Sequence, residues 1–413
     1  MTPIPHNTRR RVSLFDQHTP LASNPEAKRK FLVHTLMAQL KRNLLKPALL
    51  TVEQLLQIDP DDPDFHETYE FLCSQFPEHK KLPPRMPVKP QKNEDVPSAP
   101  PKDGQPLKNF SEEPNEVICA AFPFQQEWIV SVSKETQRQA HLGTDSPMSN
   151  IRLWDARSGE QVCSLLGHNS AVMALACSPT APYLASASQS GTVALWSTDT
   201  RKVKKRLRKG GVTIRALAFS DNGDHLIAGG DDGVVRMWDM GTQKRLFRQS
   251  CHRGSITGIA FVPRTSWFIS SGWDQMIRIW DRQSQQGLGV LSGHTQPILC
   301  VAVSGDGRWV LSGSQDGSAR VWNVHQKKEV GRLTGHKGPV RSVAISPDGG
   351  TAVTGGADGV LRWWKLPGGQ PLETKPPERS HITTVAISPD GTKALSGNAN
   401  GVLRLWAVPK GLS

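Results

Sequence analysis

The sequence predicts an all-β repeat domain over its C-terminal three quarters, preceded by a short α-helical segment. Seven tryptophans are spaced 42 residues apart, and an apolar run that alternates with polar residues precedes each of them. Glycine turns such as SPDG, DDG and QDG separate the runs, and this pattern indicates short antiparallel strands, of which four fit within one repeat. The seven tryptophans are Trp154, Trp196, Trp238, Trp280, Trp322, Trp364 and Trp406.

The phrases around these tryptophans are similar to one another: IRLWDA, VALWST, VVRMWDM, IRIWDR, ARVWNV, LRWWKL and LRLWAV. Gly-His pairs stand at 167–168, 293–294 and 335–336, and Trp-Asp pairs at 154–155, 238–239 and 280–281. With these pairs and this period, residues 107–413 resemble the WD40 repeat family. The resemblance implies a seven-bladed β-propeller in which each blade is a four-stranded sheet around a central channel.

Three consecutive repeats carry His, Ser or Thr, Asp and Trp at the same spacing. His, Ser or Thr, and Asp could also form a catalytic triad. An enzyme is expected to carry such a triad once, at its active site, and not in three consecutive repeats. The resemblance implies instead a buried hydrogen-bond chain in which the Asp holds the His, the His holds the hydroxyl, and the hydroxyl holds the indole N–H. The three sets are His252, Ser270, Asp274 and Trp280; His294, Ser312, Asp316 and Trp322; and His336, Thr354, Asp358 and Trp364.

The other four repeats depart from this set, and we expect their blades to depend more on packing. The departures are Glu113 for His in the first, Ser190 for Asp in the second, Gly210 for His and Ala228 for Ser in the third, and Glu378 for His and Asn400 for Asp in the seventh.

The outermost strand of the last blade must come from elsewhere in the chain, because only seven residues follow Trp406. LKNFSEEPNEV at 107–117 aligns without a gap to VCSLLGHNSAV at 162–172, at an offset of 55 and not 42, so the first blade contains 13 extra residues within 134–150. We therefore predict that residues 107–113 supply the outer strand of blade seven and leave no open sheet edge at the seam.

The first 106 residues have a different pattern. Residues 1–22 are predicted to be a basic flexible tail, and residues 23–76 three amphipathic helices whose LLQIDPDDPDFHETYEFL stretch weakly resembles a junction between tetratricopeptide units. Residues 77–106 contain nine prolines and predict an extended linker. The helices could form a small self-contained bundle or a docking module, and both alternatives stay open.

The amino-acid composition argues against a disulfide-rich, zinc-binding, secreted or membrane-spanning protein. The net charge is +13, and residues 107–413 carry 35 Lys and Arg against 24 Asp and Glu. Six cysteines without C-x-x-C spacing argue against a disulfide framework and a zinc site. No signal peptide or membrane-spanning apolar run is evident, so we expect a cytoplasmic or otherwise intracellular protein that is not secreted, without metal, cofactor or membrane contact.

The function that these features predict is a non-catalytic scaffold or adaptor that binds other proteins as a subunit of a larger assembly. Gly-rich phosphate loops and a single nucleophile constellation are both missing from the sequence, and the resemblance implies a fold that mostly assembles other proteins. The alternative is binding of nucleic acid or an acidic partner through a basic outer rim on blades two and three, although edge lysines also prevent strand pairing. The rim residues are Lys204, Lys205, Arg206, Arg208, Lys244, Arg245 and Arg248.

The partner site is predicted on the propeller face that carries the loops before each first strand and between each second and third strand. Trp273 lies outside the repeating tryptophan series, and a large aromatic residue on a rigid rim is typical of an interface anchor. The alternative is that Trp273 packs beside Gln275 and Met276. The other candidates on this face are Arg215, Arg341, Gln315, Asp231, His381 and, within the insertion of blade one, His141.

Overall fold

The structure is a computed structural model that describes residues 105–112, 115–123, 128–134, 150–208 and 210–409. The described residues form 28 strands, β1 to β28, and no helix. The predicted tail at 1–22 and the predicted helices at 23–76 lie outside the described residues, as do all but the last two residues of the predicted linker and His141.

The strands form seven four-stranded antiparallel sheets, which we number as blades in chain order. In each of the first four blades, consecutive strands pair in sequence from the channel outward. The strands of these blades are β2 Val117–Ala121, β3 Trp128–Ser133, β4 Asn150–Asp155 and β5 Gln161–Leu165; β6 Val172–Cys177, β7 Tyr183–Ser188, β8 Val193–Ser197 and β9 Lys202–Arg208; β10 Ile214–Phe219, β11 His225–Gly230, β12 Val234–Asp239 and β13 Arg245–Ser250; and β14 Ile256–Phe261, β15 Trp267–Gly272, β16 Met276–Asp281 and β17 Gly287–Ser292.

Blades five and six follow the same order, and blade seven takes its outer strand from the start of the described chain. Their strands are β18 Ile298–Val303, β19 Trp309–Ser314, β20 Ala319–Asn323 and β21 Lys328–Leu333; β22 Val340–Ile345, β23 Thr351–Gly356, β24 Leu361–Lys365 and β25 Gln370–Thr374; and β26 Ile382–Ile387, β27 Lys393–Asn398, β28 Val402–Ala407 and β1 Lys108–Glu112. The seven-bladed β-propeller that the resemblance to the WD40 family implies is confirmed.

Burial changes systematically across each blade. Every second strand is buried after its first residue, because neighbouring blades cover both of its faces, and small residues such as those of YLASAS and HLIAGG make this close packing possible. The seven repeating tryptophans are all buried, none more than 8 % exposed. The turn between the second and third strands needs glycine: at Gly233 the backbone φ is +66°, and a side chain would collide with the carbonyl oxygen of His252.

The ring is closed by two contacts at the seam. The first strands of neighbouring blades contact one another all the way round, including β26 with β2. Outside them, β1 pairs antiparallel with β28, with Lys108 opposite Leu405 and Glu112 opposite Val402. Phe110 on β1 is 7 % exposed and meets the Trp154 ring of blade one edge-on, with centroids 6.3 Å apart. One residue therefore joins the last blade to the first.

A hydrogen-bond chain crosses the interior of blades four, five and six. In blade five, Trp322 Nε1 donates to Ser312 Oγ at 2.9 Å, Ser312 Oγ lies 2.8 Å from His294 Nε2, and His294 Nδ1 lies 2.8 Å from Asp316 Oδ2. The corresponding residues of the neighbouring blades are joined in the same way: His252, Ser270, Asp274 and Trp280; and His336, Thr354, Asp358 and Trp364. All three hydroxyls are 0 % exposed, so a substrate has no access to them.

The charge state of this chain follows from its burial. Burial alone would raise the pKa of Asp316, but hydrogen bonds from Ser318 and His294 outweigh it and lower the pKa to about 2. Burial lowers the pKa of His294 and outweighs the opposing effect of Asp316. At neutral pH the histidine is therefore neutral, and its Nδ1–H donates to an ionised aspartate.

Blades one and seven keep the hydroxyl that accepts from the tryptophan and differ at the histidine position. In blade one, Ser131 accepts from Trp154 at 2.8 Å, and in blade seven Ser396 accepts from Trp406 at 2.8 Å. Glu378, at the His position of blade seven, accepts from Asn398 and pairs with Arg404. The side chain that bonds to residue 378 is thus that of Asn398, two residues before the Asn400 that the repeat spacing indicates.

Blade two lacks only the aspartate of the chain. His168 Nε2 lies 2.6 Å from Ser186 Oγ, which also accepts from Trp196 at 2.6 Å. Ser190, at the Asp position, bonds instead to the hydroxyls of Ser170 and Ser188. His168 Nδ1 is buried and has no hydrogen-bond partner among the described residues. Burial, together with the charge of a nearby arginine, lowers the pKa of His168 to about 4.

We predict that Ser190→Asp restores the missing acceptor for His168 Nδ1 and stabilises the protein by about 1 kcal/mol at pH 7. The native-state pKa of His168 lies below the ordinary value, so the unfolded state binds more protons and the stability of the wild type falls as pH drops from 6.5 to about 4. The new carboxylate should raise that pKa and reduce this loss. NMR titration of the His168 ring and denaturant unfolding at pH 7 and pH 5 measure both effects.

The matched control is Gln189→Asp, which adds the same charge at the neighbouring exposed position. A Ser190→Asp variant that titrates and unfolds like Gln189→Asp would show that residue 190 does not reach His168.

Candidate functional site

A cavity of about 300 Å³ opens at the mouth of the central channel. Seven of its lining residues occupy one equivalent position, the second residue of each first strand, where the pairing with the second strand shifts register in every blade. Such a bulge bends the strand and re-aims its side chain. The seven residues are Ile118, Met173, Arg215, Thr257, Leu299, Arg341 and Thr383, and Glu116 and Trp273 complete the lining.

Trp273 lies beside this cavity on the turn between β15 and β16 and is 58 % exposed. Its backbone N–H donates to the carbonyl oxygen of Ser255 at 3.0 Å, which anchors the turn while the indole remains in solvent. Two of the predicted partner-site residues, Arg215 and Arg341, line the same cavity. The structure therefore brings these three residues together, and the bulge that does so was not evident from the sequence.

The charged groups of the cavity differ in how they are satisfied. Arg215 forms a bidentate ion pair with Asp231, and Ser255 Oγ donates to the same carboxylate at 2.5 Å. Burial would raise the pKa of Asp231, but hydrogen bonds from Arg215 and Ser255 outweigh it, so the pKa is lowered. Glu116 lies 3.9 Å from Lys134. Arg341 is exposed, and its side chain has no ion pair or hydrogen bond with any residue that the structure describes.

The remaining predicted residues of this face lie outside the cavity lining. His381 is exposed and its Nδ1 lies 2.9 Å from the carbonyl oxygen of Ala357. Gln315 is exposed on the turn between β19 and β20, and its backbone N–H donates to Pro297.

The predicted basic rim divides into two groups. Three of its side chains bind their own blade or the adjoining loop: Lys204 Nζ lies 4.0 Å from the Tyr183 ring centroid, Arg206 donates to the Gly167 carbonyl at 2.7 Å, and Arg208 donates to two backbone carbonyls at 2.9 and 3.0 Å. The other four are exposed and have no ion pair or side-chain hydrogen bond within the described part of the chain: Lys205, Lys244, Arg245 and Arg248.

Positive charges of blade three affect the pKa of Arg208 in blade two. Burial lowers the pKa of Arg208, and the charges of Arg236, Arg248 and Arg245 lower it further, whereas Asp232 opposes them. The outer strands β9 and β13 therefore bring their positive charges together.

Within the described ranges, no cluster of His, Cys, Asp or Glu has an arrangement that could hold a metal ion. No helix capable of crossing a membrane is found among the described residues.

Six segments of the chain match the family described as WD domain, G-beta repeat (WD40), and together they cover more than half of it. Each runs from the outer part of one blade through the third strand of the next: 159–197, 203–239, 243–281, 285–323, 327–365 and 369–407. Comparison with curated proteins gives no match. The remaining repeat contains the insertion of blade one, and the structure shows its strands as β1 to β4. The chain belongs to the WD40 repeat family.

Proposed function

We propose that this protein is a non-catalytic scaffold or adaptor that binds partner proteins at the mouth of its central channel. The observation that carries the proposal is Trp273, a 58 % exposed indole held on an anchored turn beside a cavity. An exposed aromatic residue on a rigid support loses little entropy on binding and is typical of interface anchors. WD40 propellers commonly mediate protein–protein interaction, which agrees with this use of the surface.

The chemistry of the cavity favours binding over catalysis. Its two hydroxyl groups are engaged with the backbone, since Thr257 Oγ1 donates to Ile298 at 2.6 Å and Thr383 Oγ1 donates to Gly397 at 3.0 Å. Its one carboxylate, Glu116, lies near Lys134. The lining therefore offers a partner apolar contacts and positive charge, without a nucleophile paired to a base.

Trp273→Ala should weaken partner binding by about 2 kcal/mol, or about 30-fold, because the indole supplies most of the exposed aromatic area at the cavity. Its thermal unfolding temperature should remain that of the wild type, because the side chain lies largely in solvent. Full-length wild-type and variant proteins, immobilised at equal density, are compared by quantitative mass spectrometry of the proteins they retain from nuclease-treated native extract.

Val290→Ala is the matched control, since Val290 is 51 % exposed on β17, an outer strand far from the channel. Equal loss of partners in both variants, or a lower unfolding temperature with undiminished binding for Trp273→Ala, would show that Trp273 is a packing residue and not an anchor.

A second candidate function is binding of nucleic acid by the basic rim. The proximity of Arg208 to Arg245 and Arg248, whose charges lower the pKa of Arg208, favours it, because an anion relieves the repulsion between gathered positive charges. The three rim residues that bind their own chain serve the fold, so the candidate rests on the four exposed residues Lys205, Lys244, Arg245 and Arg248.

Replacing these four exposed rim residues with Ser should lower the affinity for fluorescein-labelled duplex DNA at least about tenfold and reduce its dependence on salt, because fewer counterions are released on binding. Fluorescence anisotropy over a salt series measures both quantities. The control replaces four exposed basic residues elsewhere on the ring with Ser: Lys328, Lys337, Lys365 and Arg379. Equal losses of DNA affinity in the two variants would show that binding depends only on total positive charge and not on the rim. A DNA affinity that does not change with salt would exclude electrostatic binding by the rim.

A further inference from the structure

Blade three contains an internal example of a bound carboxylate at the channel mouth. The bulged Arg215 projects into the cavity lining and pairs with Asp231, sixteen residues later on the turn between β11 and β12. Ser255, from the start of the next blade, donates to the same carboxylate. A carboxylate at this position is therefore held by a guanidinium of its own blade and a polar side chain of the following blade.

Blade six repeats this arrangement without the carboxylate. On the 42-residue repeat, Arg341 corresponds to Arg215, Ala357 to Asp231 and His381 to Ser255. The backbones also correspond: the N–H of Ala357 donates to Pro339 at 2.8 Å, as that of Asp231 donates to Thr213 at 3.0 Å. The repeat thus places a methyl group where blade three has an anion, with Arg341 and His381 at the positions of Arg215 and Ser255.

Neither flanking side chain has a carboxylate partner among the described residues. Arg341 is exposed and without an ion pair there, and the only described contact of the His381 ring is its bond to the Ala357 carbonyl. In the other five blades the equivalent residue is not basic: Ile118, Met173, Thr257, Leu299 and Thr383 in blades one, two, four, five and seven. Of the two blades with an arginine at this position, blade six lacks the partner aspartate.

We propose that a carboxylate from an acidic segment of a partner protein binds over Ala357, between Arg341 and His381, in the place that Asp231 takes in blade three. This inference rests on the proposed function and names the chemistry of the partner. A guanidinium matches the two oxygens of a carboxylate, and one unpaired guanidinium balances one negative charge. The cavity of about 300 Å³ is at the small end of ligand sites, which fits side chains of a peptide beside Trp273 and Leu299.

Ala357→Asp tests the proposal directly, because the new side chain should pair with Arg341 within the protein and occupy the site. Arg341→Gln removes the guanidinium. Both full-length variants should bind a fluorescein-labelled deca-glutamate peptide at least about tenfold more weakly than wild type in fluorescence anisotropy, with unchanged unfolding temperatures. Gln189→Asp is the matched control, since it adds the same charge at the equivalent, exposed position of blade two, where the bulged residue is Met173.

The basic rim is excluded as the source of the signal by carrying out the same titrations in the variant that lacks the four exposed rim residues. Equal affinities of wild type, Ala357→Asp and Arg341→Gln would overturn the proposal, as would equal weakening in Gln189→Asp. A phosphoserine peptide that binds while deca-glutamate does not would also overturn it. The extract experiment separates this inference from the proposed function. Partners whose retention falls in Trp273→Ala but not in Arg341→Gln would contradict only the carboxylate site. Partners retained equally by wild type and Trp273→Ala would contradict the proposed binding site itself.

Discussion

The pairing of β1 with β28 is the contact on which the rest of the ring depends. Six blades are continuous segments of chain, but the seventh needs a strand that lies almost 300 residues earlier in sequence. Without that strand, the backbone of β28 would be an open sheet edge, and Trp154 of blade one would lose its edge-on contact with Phe110. The first strands β2 and β26 also contact each other at the seam, inside the pairing of β1 with β28.

Closure of the ring brings equivalent residues of all seven blades to the central channel. The same bulge occurs in every first strand, so a closed ring makes seven equivalent side chains converge on one channel. The residues that obey the repeat, such as Ser312, His294 and Trp322, are buried in hydrogen bonds that hold the blades. Those that break it, above all Trp273 and the unpaired Arg341, are exposed at the channel mouth. The repeated residues thus hold the blades together, whereas the partner binding that we propose uses the exceptions.

The tryptophan period predicted the seven repeats and their short strands. The resemblance to the WD40 family implied the seven blades and the hydrogen-bond chains of blades four, five and six, whose contacts recur at fixed spacing within each repeat. Contacts that cross between blades or interrupt the alternation were not accessible in this way. The repeat placed Arg215 and Arg341 at equivalent positions, but a bulge changes the direction of a side chain without changing residue types, so their place in the cavity lining appeared only in three dimensions. The binding of Lys204, Arg206 and Arg208 to their own chain and the use of Asn398 in blade seven also depend on such tertiary geometry.

The stability of the seam is the quantity that tests this account most directly. Equilibrium unfolding in denaturant compares the full-length protein with Phe110→Ala, which empties the contact between β1 and Trp154, and with Leu107→Ala, a neighbouring residue that is 41 % exposed. Closure predicts that Phe110→Ala lowers the free energy of unfolding by about 3 kcal/mol, whereas Leu107→Ala changes it by about 0.5 kcal/mol or less. Equal free energies for wild type and Phe110→Ala would contradict a ring that is held shut by β1.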